Sequence, residues 1–231
     1  MSGISINPYS NLYEQTATSA QNASASSLND TLSGDLSGAS DEELMDVCKD
    51  FEAYFVEQVM KEMKKMILKR LKVETSLGEP TNCYIVEDEK TKETMVVDPG
   101  GEANKIIEML DILEAKLKYI YLTHCHADHI GAVTELKNAK GGKILIHRLD
   151  AEGLNNEDIN LSSCINMGDI ELEPDSRVDD GDLIHLGNLE FKVIHTPGHT
   201  QGGTSLYCKE EGLLFSGDTL FRGTWGRVDL P

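Results

Sequence analysis

The chain has 231 residues, enough for one good-sized core or two small ones. Its 40 acidic and 21 basic residues give a formal net charge of −19, which repels nucleic-acid phosphates and anionic lipid headgroups, and no Lys/Arg stripe offsets it. Neither nucleic acid nor a membrane is expected as a partner. Five cysteines, Cys48, Cys83, Cys125, Cys164 and Cys208, form no C-x-x-C pair, so neither a disulfide framework nor a thiolate zinc site is indicated. Residues 1–10 lack a basic and an apolar signal region, and no apolar run reaches membrane-spanning length; a cytoplasmic protein is expected.

Residues 1–39 are rich in Ser, Ala, Asn, Thr and Gly, too polar to offset the entropy of ordering, and are predicted to be a disordered leader. Ser40-Asp41-Glu42-Glu43 then forms a capping box, and Leu44, Cys48, Phe51, Phe55, Val59 and Met63 recur at three- or four-residue intervals. With Lys61, Lys64 and Lys65 at the favourable end of the helix dipole, residues 40–65 are predicted to be an amphipathic helix of about six turns. One helix cannot bury its own stripe, so this one is expected to dock, self-associate or bind a protein partner.

From Ile67 the period becomes that of strands: Ile67 to Val73, Asn82 to Val86 and Thr94 to Asp98, separated by Gly78-Glu79-Pro80 and followed by Pro99-Gly100-Gly101. Ala103 to Lys116 is predicted helical, Leu117 to Thr123 a strand, His129 to Asn138 a second helix and Lys143 to His147 a strand. Further strands are expected at Asp182 to Leu186, Leu189 to Ile194, Thr204 to Cys208 and Leu213 to Phe215. Mixed strands with interspersed helices point to an α/β fold with helix-covered sheets.

The chemistry concentrates in His124-Cys125-His126-Ala127-Asp128-His129, directly after an apolar strand. In extended backbone His124 and His126 face the same way and can grip one ion, while Cys125 points elsewhere. Asp128 and His129 come from the next turn, near enough for a second ion. Two more strand ends supply candidates: His195-Thr196-Pro197-Gly198-His199 projects His199 from a tight turn, and Ser216-Gly217-Asp218-Thr219 offers a carboxylate able to bridge two cations. His147 and His185 match no metal spacing and are expected at the surface or behind the ligands, and His195 is expected to orient a ligand.

Thr123 to Gly131, His195 to Thr200 and Ser216 to Thr219 resemble the successive metal motifs of the metallo-β-lactamase superfamily, in their usual order. Asn82-Cys83-Tyr84, Asp98-Pro99-Gly100-Gly101 and Phe221-Arg222-Gly223-Thr224-Trp225-Gly226-Arg227 are similar to its glyoxalase II (hydroxyacylglutathione hydrolase) branch. The resemblance spans about Met66 to Pro231 and implies an αβ/βα four-layer sandwich with one or two zinc ions, iron or manganese being alternatives. It implies that His124, His126 and His199 hold the first ion, Asp128 and His129 the second, and that Asp218 bridges them. A bound ion brings the pKa of water to about 7, and the hydroxide so supplied would attack a small-molecule thioester or ester, oriented by Asp128 as catalytic residue.

The family's further histidine, from a Gly-His-Gly segment, has no counterpart here, since no histidine follows His199. Together with the Met66 junction this leads to the expectation of a hydrolase domain, residues 66–231, shortened at its C-terminal end and joined to a separate N-terminal segment. The same histidine cluster would also serve a mononuclear iron persulfide dioxygenase. Leu44 to Lys65, an acidic-aromatic helix ending in Met-Lys pairs, resembles the N-terminal region of flagellar rod-binding proteins. That resemblance implies a third reading, a non-catalytic binding module working through this helix.

Overall fold

The computed structural model describes residues 40, 42, 45, 46, 48, 49, 51–56, 66–75, 78, 80–165 and 172–230. The expected leader, residues 1–39, lies outside them. The chain divides into two compact units, 1–64 and 65–231. In the first, every described residue between 42 and 56 is helical, with Phe51 and Phe55 stacked at 6.3 Å and Lys49 paired with Asp46. Ser40 is described and lies outside the helix, while the remaining residues of the proposed 40–65 helix, Asp41 and Glu43 of the capping box among them, lie outside the described residues.

The second unit is built on two sheets. Strands β1 (Met66–Val73), β2 (Thr81–Asp88), β3 (Glu93–Val97), β4 (Lys116–Tyr121), β5 (Lys143–His147) and β6 (Ser176–Val178) form a six-stranded sheet in chain order. Its first three strands are antiparallel, and β3 to β6 run parallel. Parallel neighbours need crossovers, supplied by α1 (Ala103–Ile112) between β3 and β4 and by α2 (Ala127–Ile130) with α3 (Val133–Lys140) between β4 and β5. Strands β7 (Leu183–Leu186), β8 (Leu189–His195), β9 (Thr204–Cys208) and β10 (Leu213–Phe215) form an antiparallel sheet in the order β10-β9-β8-β7. A two-strand ribbon, β11 (Leu220–Phe221) with β12 (Thr224–Trp225), follows.

Side-chain alternation along the strands makes two cores. Ile85, Val96, Ile120 and Ile144 face Ile106, Leu110, Val133 and Leu136 of the helices. Val86, Met95, Val97 and Tyr121, on the opposite face, meet Phe191, Val193 and Leu206 of the second sheet. Because β3 and β5 are covered on both sides, they read as nearly continuous apolar runs. Each fully buried aliphatic side chain is worth about 1.5–3 kcal/mol, so these two layers hold the unit together. The architecture is the αβ/βα sandwich, and the described residues form three of its layers; none is a helix on the outer face of the four-stranded sheet.

Most strand positions match expectation, but the helices differ. The first ends at Ile112 rather than Lys116, because Glu114, at φ 53°, turns left-handed and lets Ala115 N–H donate back to the Leu110 carbonyl at 2.9 Å, closing the last turn. The predicted helix from His129 to Asn138 is two helices broken at Gly131-Ala132. Strands β6, β11 and β12 were not expected; they are two or three residues long and carry no readable period.

Candidate metal centre

Five chain segments end at one edge of the two sheets. β3 delivers Asp98, β4 runs into Thr123 and the His124–His129 cluster, and β5 leads to Asp150. From the second sheet, β8 leads to the turn carrying His199 and β10 to Asp218. This is the carboxyl end of the parallel strands, where open α/β sheets place their ligand sites.

His124, His126 and His129 are buried and face one another, with ring centroids 4.7 Å apart for His124 and His126 and 4.2 Å for His124 and His129. His199 joins them across the sheet junction, its Nε2 lying 3.0 Å from His126 Nδ1. Asp218 sits between two groups of nitrogens, with Oδ1 3.3 Å from His129 Nε2 and Oδ2 3.4 Å from His199 Nε2. Two compact triads result, His124 with His126 and His199, and His124 with His129 and Asp218, each with its potential ligand atoms within 4.8 Å of one another. Asp128 stands beside the second triad: its Oδ2 is 3.6 Å from His129 Nε2 and accepts from Thr81 Oγ1 at 3.4 Å.

The donor set suits a transition metal. His124 Nε2 is buried without a hydrogen-bond partner while its Nδ1 lies 3.1 Å from Thr123 Oγ1, a cost that native interiors avoid unless something else engages the free nitrogen. Two imidazole nitrogens sharing a tetrahedral ion at roughly 2.0–2.1 Å stand about 3.3 Å apart, close to the observed His126 to His199 spacing. Nitrogens with a carboxylate match zinc or iron better than calcium or magnesium.

Burial, and then the neighbouring His199 and His129 rings, push the His126 pKa down to about 4, leaving it neutral and able to ligate. Burial likewise holds His124 well below the usual histidine value. His129 goes the other way: burial opposes its charge, but Asp98 and Asp218 outweigh it and hold the pKa well above the usual value. A metal arriving there would displace a proton.

The ligand candidates are held from behind. Asp98, buried and at φ 52°, accepts from Thr123 N–H at 2.8 Å and Thr123 Oγ1 at 2.7 Å, and lies 3.0 Å from His129 Nδ1. That ion pair holds Nδ1 toward Asp98 and leaves Nε2 on the side of Asp128 and Asp218. The Arg227 carbonyl lies 2.8 Å from His199 Nδ1, fixing that ring in the same sense. Asp150, also buried, accepts from Cys125 N–H at 3.2 Å, Thr200 Oγ1 at 2.7 Å and Gly202 N–H at 2.5 Å, so one carboxylate ties the His126 loop to the His199 loop.

Two glycines allow the close approach. A side chain at Gly217, φ 49°, would meet Thr123 Oγ1 at 2.3 Å, and one at Gly100 would meet the Asp128 carbonyl at 1.7 Å.

Of the six candidate ligands read from the sequence, the structure brings His124, His126, His129, His199 and Asp218 into the two triads and leaves Asp128 beside them; Asp98, Asp150 and the Arg227 carbonyl were not anticipated as supports. The motif Asp98-Pro99-Gly100-Gly101 was visible without its purpose. Cys125 does point away from the ligands, into the core beneath the helices. His147, expected near the surface or behind the ligands, is buried and stacks on His195 at 4.2 Å, while His185 is exposed. His195, expected to orient a ligand, instead shares a hydrogen bond with the Gln201 carbonyl across its own turn.

The chain belongs to the metallo-beta-lactamase superfamily, whose members are metal-dependent hydrolases; the family profile matches residues 77–231. Hydroxyacylglutathione hydrolase GloC of Haemophilus influenzae is 34% identical over 164 residues, covering 65% of this chain and 71% of that protein. Among solved structures, the BLEG-1 B3 metallo-beta-lactamase is similar at TM-score 0.65 and 32% identity, over 71% of this chain and 78% of that one. A protein solved in a di-iron-bound form is similar at TM-score 0.59 and 32% identity, with the same coverage. The profile match does not reach the helical segment below residue 65 that was compared with rod-binding proteins. Among the described residues no helix is long and apolar enough to cross a membrane.

Proposed function

We propose that residues 66–231 form a thioester or ester hydrolase most like hydroxyacylglutathione hydrolase. The observation that carries this reading is the convergence of His124, His126, His129, His199 and Asp218 into two triads that share His124, with buried ring nitrogens lacking partners. His124, His126 and His199 would hold one ion, and His129 and Asp218, with Asp128 beside them, a second. Bound metal would supply a hydroxide nucleophile at neutral pH and a Lewis acid for the carbonyl oxygen.

The remaining work falls to the protein. Asp98 and the Arg227 carbonyl keep the Nε2 atoms of His129 and His199 directed at the centre. Asp128, at the mouth of the adjoining cleft, is placed to orient the attacking water through its carboxylate, with Thr81 Oγ1 donating to that carboxylate. A thiolate leaves readily, so no strong general acid is required for a thioester. The similarity to GloC supports a thioester substrate.

The test is thiol release from acyl-thioesters by chain loaded with zinc or iron, with metal content measured alongside. Hydrolysis that disappears in His126→Ala is expected; a fully loaded chain without thioesterase or esterase activity would overturn the reading. Similarity to the di-iron-bound structure puts iron beside zinc as a metal to load. Persulfide oxygenation by iron-loaded chain, without thioester hydrolysis, would instead select the dioxygenase reading.

A further inference from the structure

Strand β5 ends on His147 and β8 on His195, and the two rings, from different sheets, lie face to face with centroids 4.2 Å apart and planes 13° from parallel. Each strand then runs on into the candidate metal centre. β5 leads to Asp150, whose carboxylate holds the His126 and His199 loops together, and β8 leads to the turn that presents His199. Within that turn His195 Nε2 lies 2.9 Å from the Gln201 carbonyl; a carbonyl only accepts, so this nitrogen carries a proton. His147 is buried, and its Nδ1 accepts from Leu149 N–H at 3.4 Å, so that nitrogen carries none. The stack rests the His199 turn on the end of β5.

A proton taken up from solvent by His147 finds little to compensate it. It would set an N–H at Nδ1 against the Leu149 N–H that this nitrogen now accepts from. Asp179 Oδ1 lies 3.9 Å from Nε2, beyond hydrogen-bond reach, and is already paired with the Arg148 guanidinium, itself a like charge. Asp150 is committed to its three donors, Asp180 accepts from the His195 backbone N–H, and the His195 ring faces the new charge across the stack. Burial and then His195 hold the His147 pKa below the usual 6.5, against the pull of Asp179 and Asp150. We propose that His147 is a positioning residue for His199, acting through the His195 ring, and that its protonation in mild acid releases the His199 turn. A histidine kept neutral by folding adds stability above its unfolded pKa, and that stability is lost as pH falls through the lower folded value. The inference rests on the metal-centre reading for the role of His199 and adds to it a proton-sensitive support.

The experiment compares wild type with His147→Phe, which keeps a flat ring in the stack but takes no proton, and with His147→Ala, which removes the ring. Zinc affinity is measured against a chromophoric competitor at about pH 7.5 and about pH 5.5, and chelator-treated protein is titrated over the same range by NMR. Protonation of the ligand histidines weakens zinc binding in every form, so the readout is the wild-type dissociation constant divided by that of His147→Phe. This ratio should rise about threefold or more on acidification. His147→Ala should bind zinc roughly tenfold more weakly than His147→Phe near neutral pH. In metal-free wild type the Thr200 and Gly202 amides should shift as His147 titrates, and that transition should be missing from His147→Phe. A ratio that does not change with pH would overturn the proton sensitivity. Equal zinc affinity of His147→Ala and His147→Phe would overturn the positioning role. If His147→Ala does not fold, the NMR titration decides, because amides that ignore the titration of His147 would overturn the proposal. A chain that takes up no zinc while those amides follow His147 would count against the metal centre and support the link from His147 to the His199 turn.

Discussion

The Asp150 carboxylate makes no hydrogen bond to a candidate ligand, yet replacing it should damage the metal centre as much as the fold. Its carboxylate takes three donors, Cys125 N–H, Thr200 Oγ1 and Gly202 N–H, from two loops brought together only by tertiary folding. Hydrogen bonds to a charged group contribute about 1.5–3 kcal/mol each, and a buried donor left unpaired costs about 1–3 kcal/mol. These terms overlap and do not add, and single substitutions rarely exceed about 4–5 kcal/mol, so Asp150→Ala should cost about 3–5 kcal/mol. For a unit of this size that is a fall in Tm of about 6–20 °C. Loosening His126 against His199 should also weaken metal binding by roughly 10–100-fold, the usual effect of removing a support behind a metal ligand. Asp150→Asn, which keeps one oxygen acceptor, should fall between Ala and wild type on both scales. The assay is thermal unfolding in chelator together with metal titration against a chromophoric competitor. Wild-type Tm and wild-type affinity in Asp150→Ala would refute the idea that this carboxylate holds the two loops.

Other substitutions probe separate parts of the account. Asp98→Ala frees the His129 ring and leaves the buried Thr123 N–H unpaired, so elemental analysis should show the metal held with His129 falling before the metal held with His126 and His199. Gly217→Val should reduce both Tm and metal content, since its side chain would run into Thr123 Oγ1; wild-type values for both would contradict the close approach. At the far end of the strands Asp88 accepts from Thr91 and from Asn188 N–H at 2.9 Å, linking the β2–β3 turn to the β7–β8 turn. Burial acts to raise its pKa, but these bonds outweigh it and hold it below the usual 3.8. A carboxyl group depressed on folding contributes stability above its unfolded pKa and loses it as pH falls through the folded value. Asp88→Asn should therefore melt below wild type near neutral pH, with a gap that closes below pH 3.8; a gap independent of pH would refute the charge's role.

What the sequence disclosed and what it hid divide along physical lines. The candidate cluster was legible because four side chains able to ligate in six residues, after an apolar strand, have little other use, and because His199 and Asp218 also stand at strand ends. Strand positions were legible where the runs were long, as in β2 and β8. The supports were not legible, because Asp150 is 25 residues from Cys125 and 52 from Gly202, and only the folded chain brings them together. A backbone carbonyl such as that of Arg227 leaves no residue-type signature at all. His147 matched no metal spacing and His195 was read as orienting a ligand, yet the ends of β5 and β8, in different sheets, bring the two rings into a stack. The break between α2 and α3 lies at Gly131-Ala132, where an apolar period carried through without a proline to interrupt it.

The central claim is that His124, His126, His199 and Asp218 hold a catalytic metal. Elemental analysis of purified chain and of the His124→Ala/His126→Ala double variant tests it most directly. At least one zinc or iron per chain in the wild type, and little in the variant, is the result predicted. Full metal content in the double variant, or a wild-type chain that takes up neither metal, would contradict it.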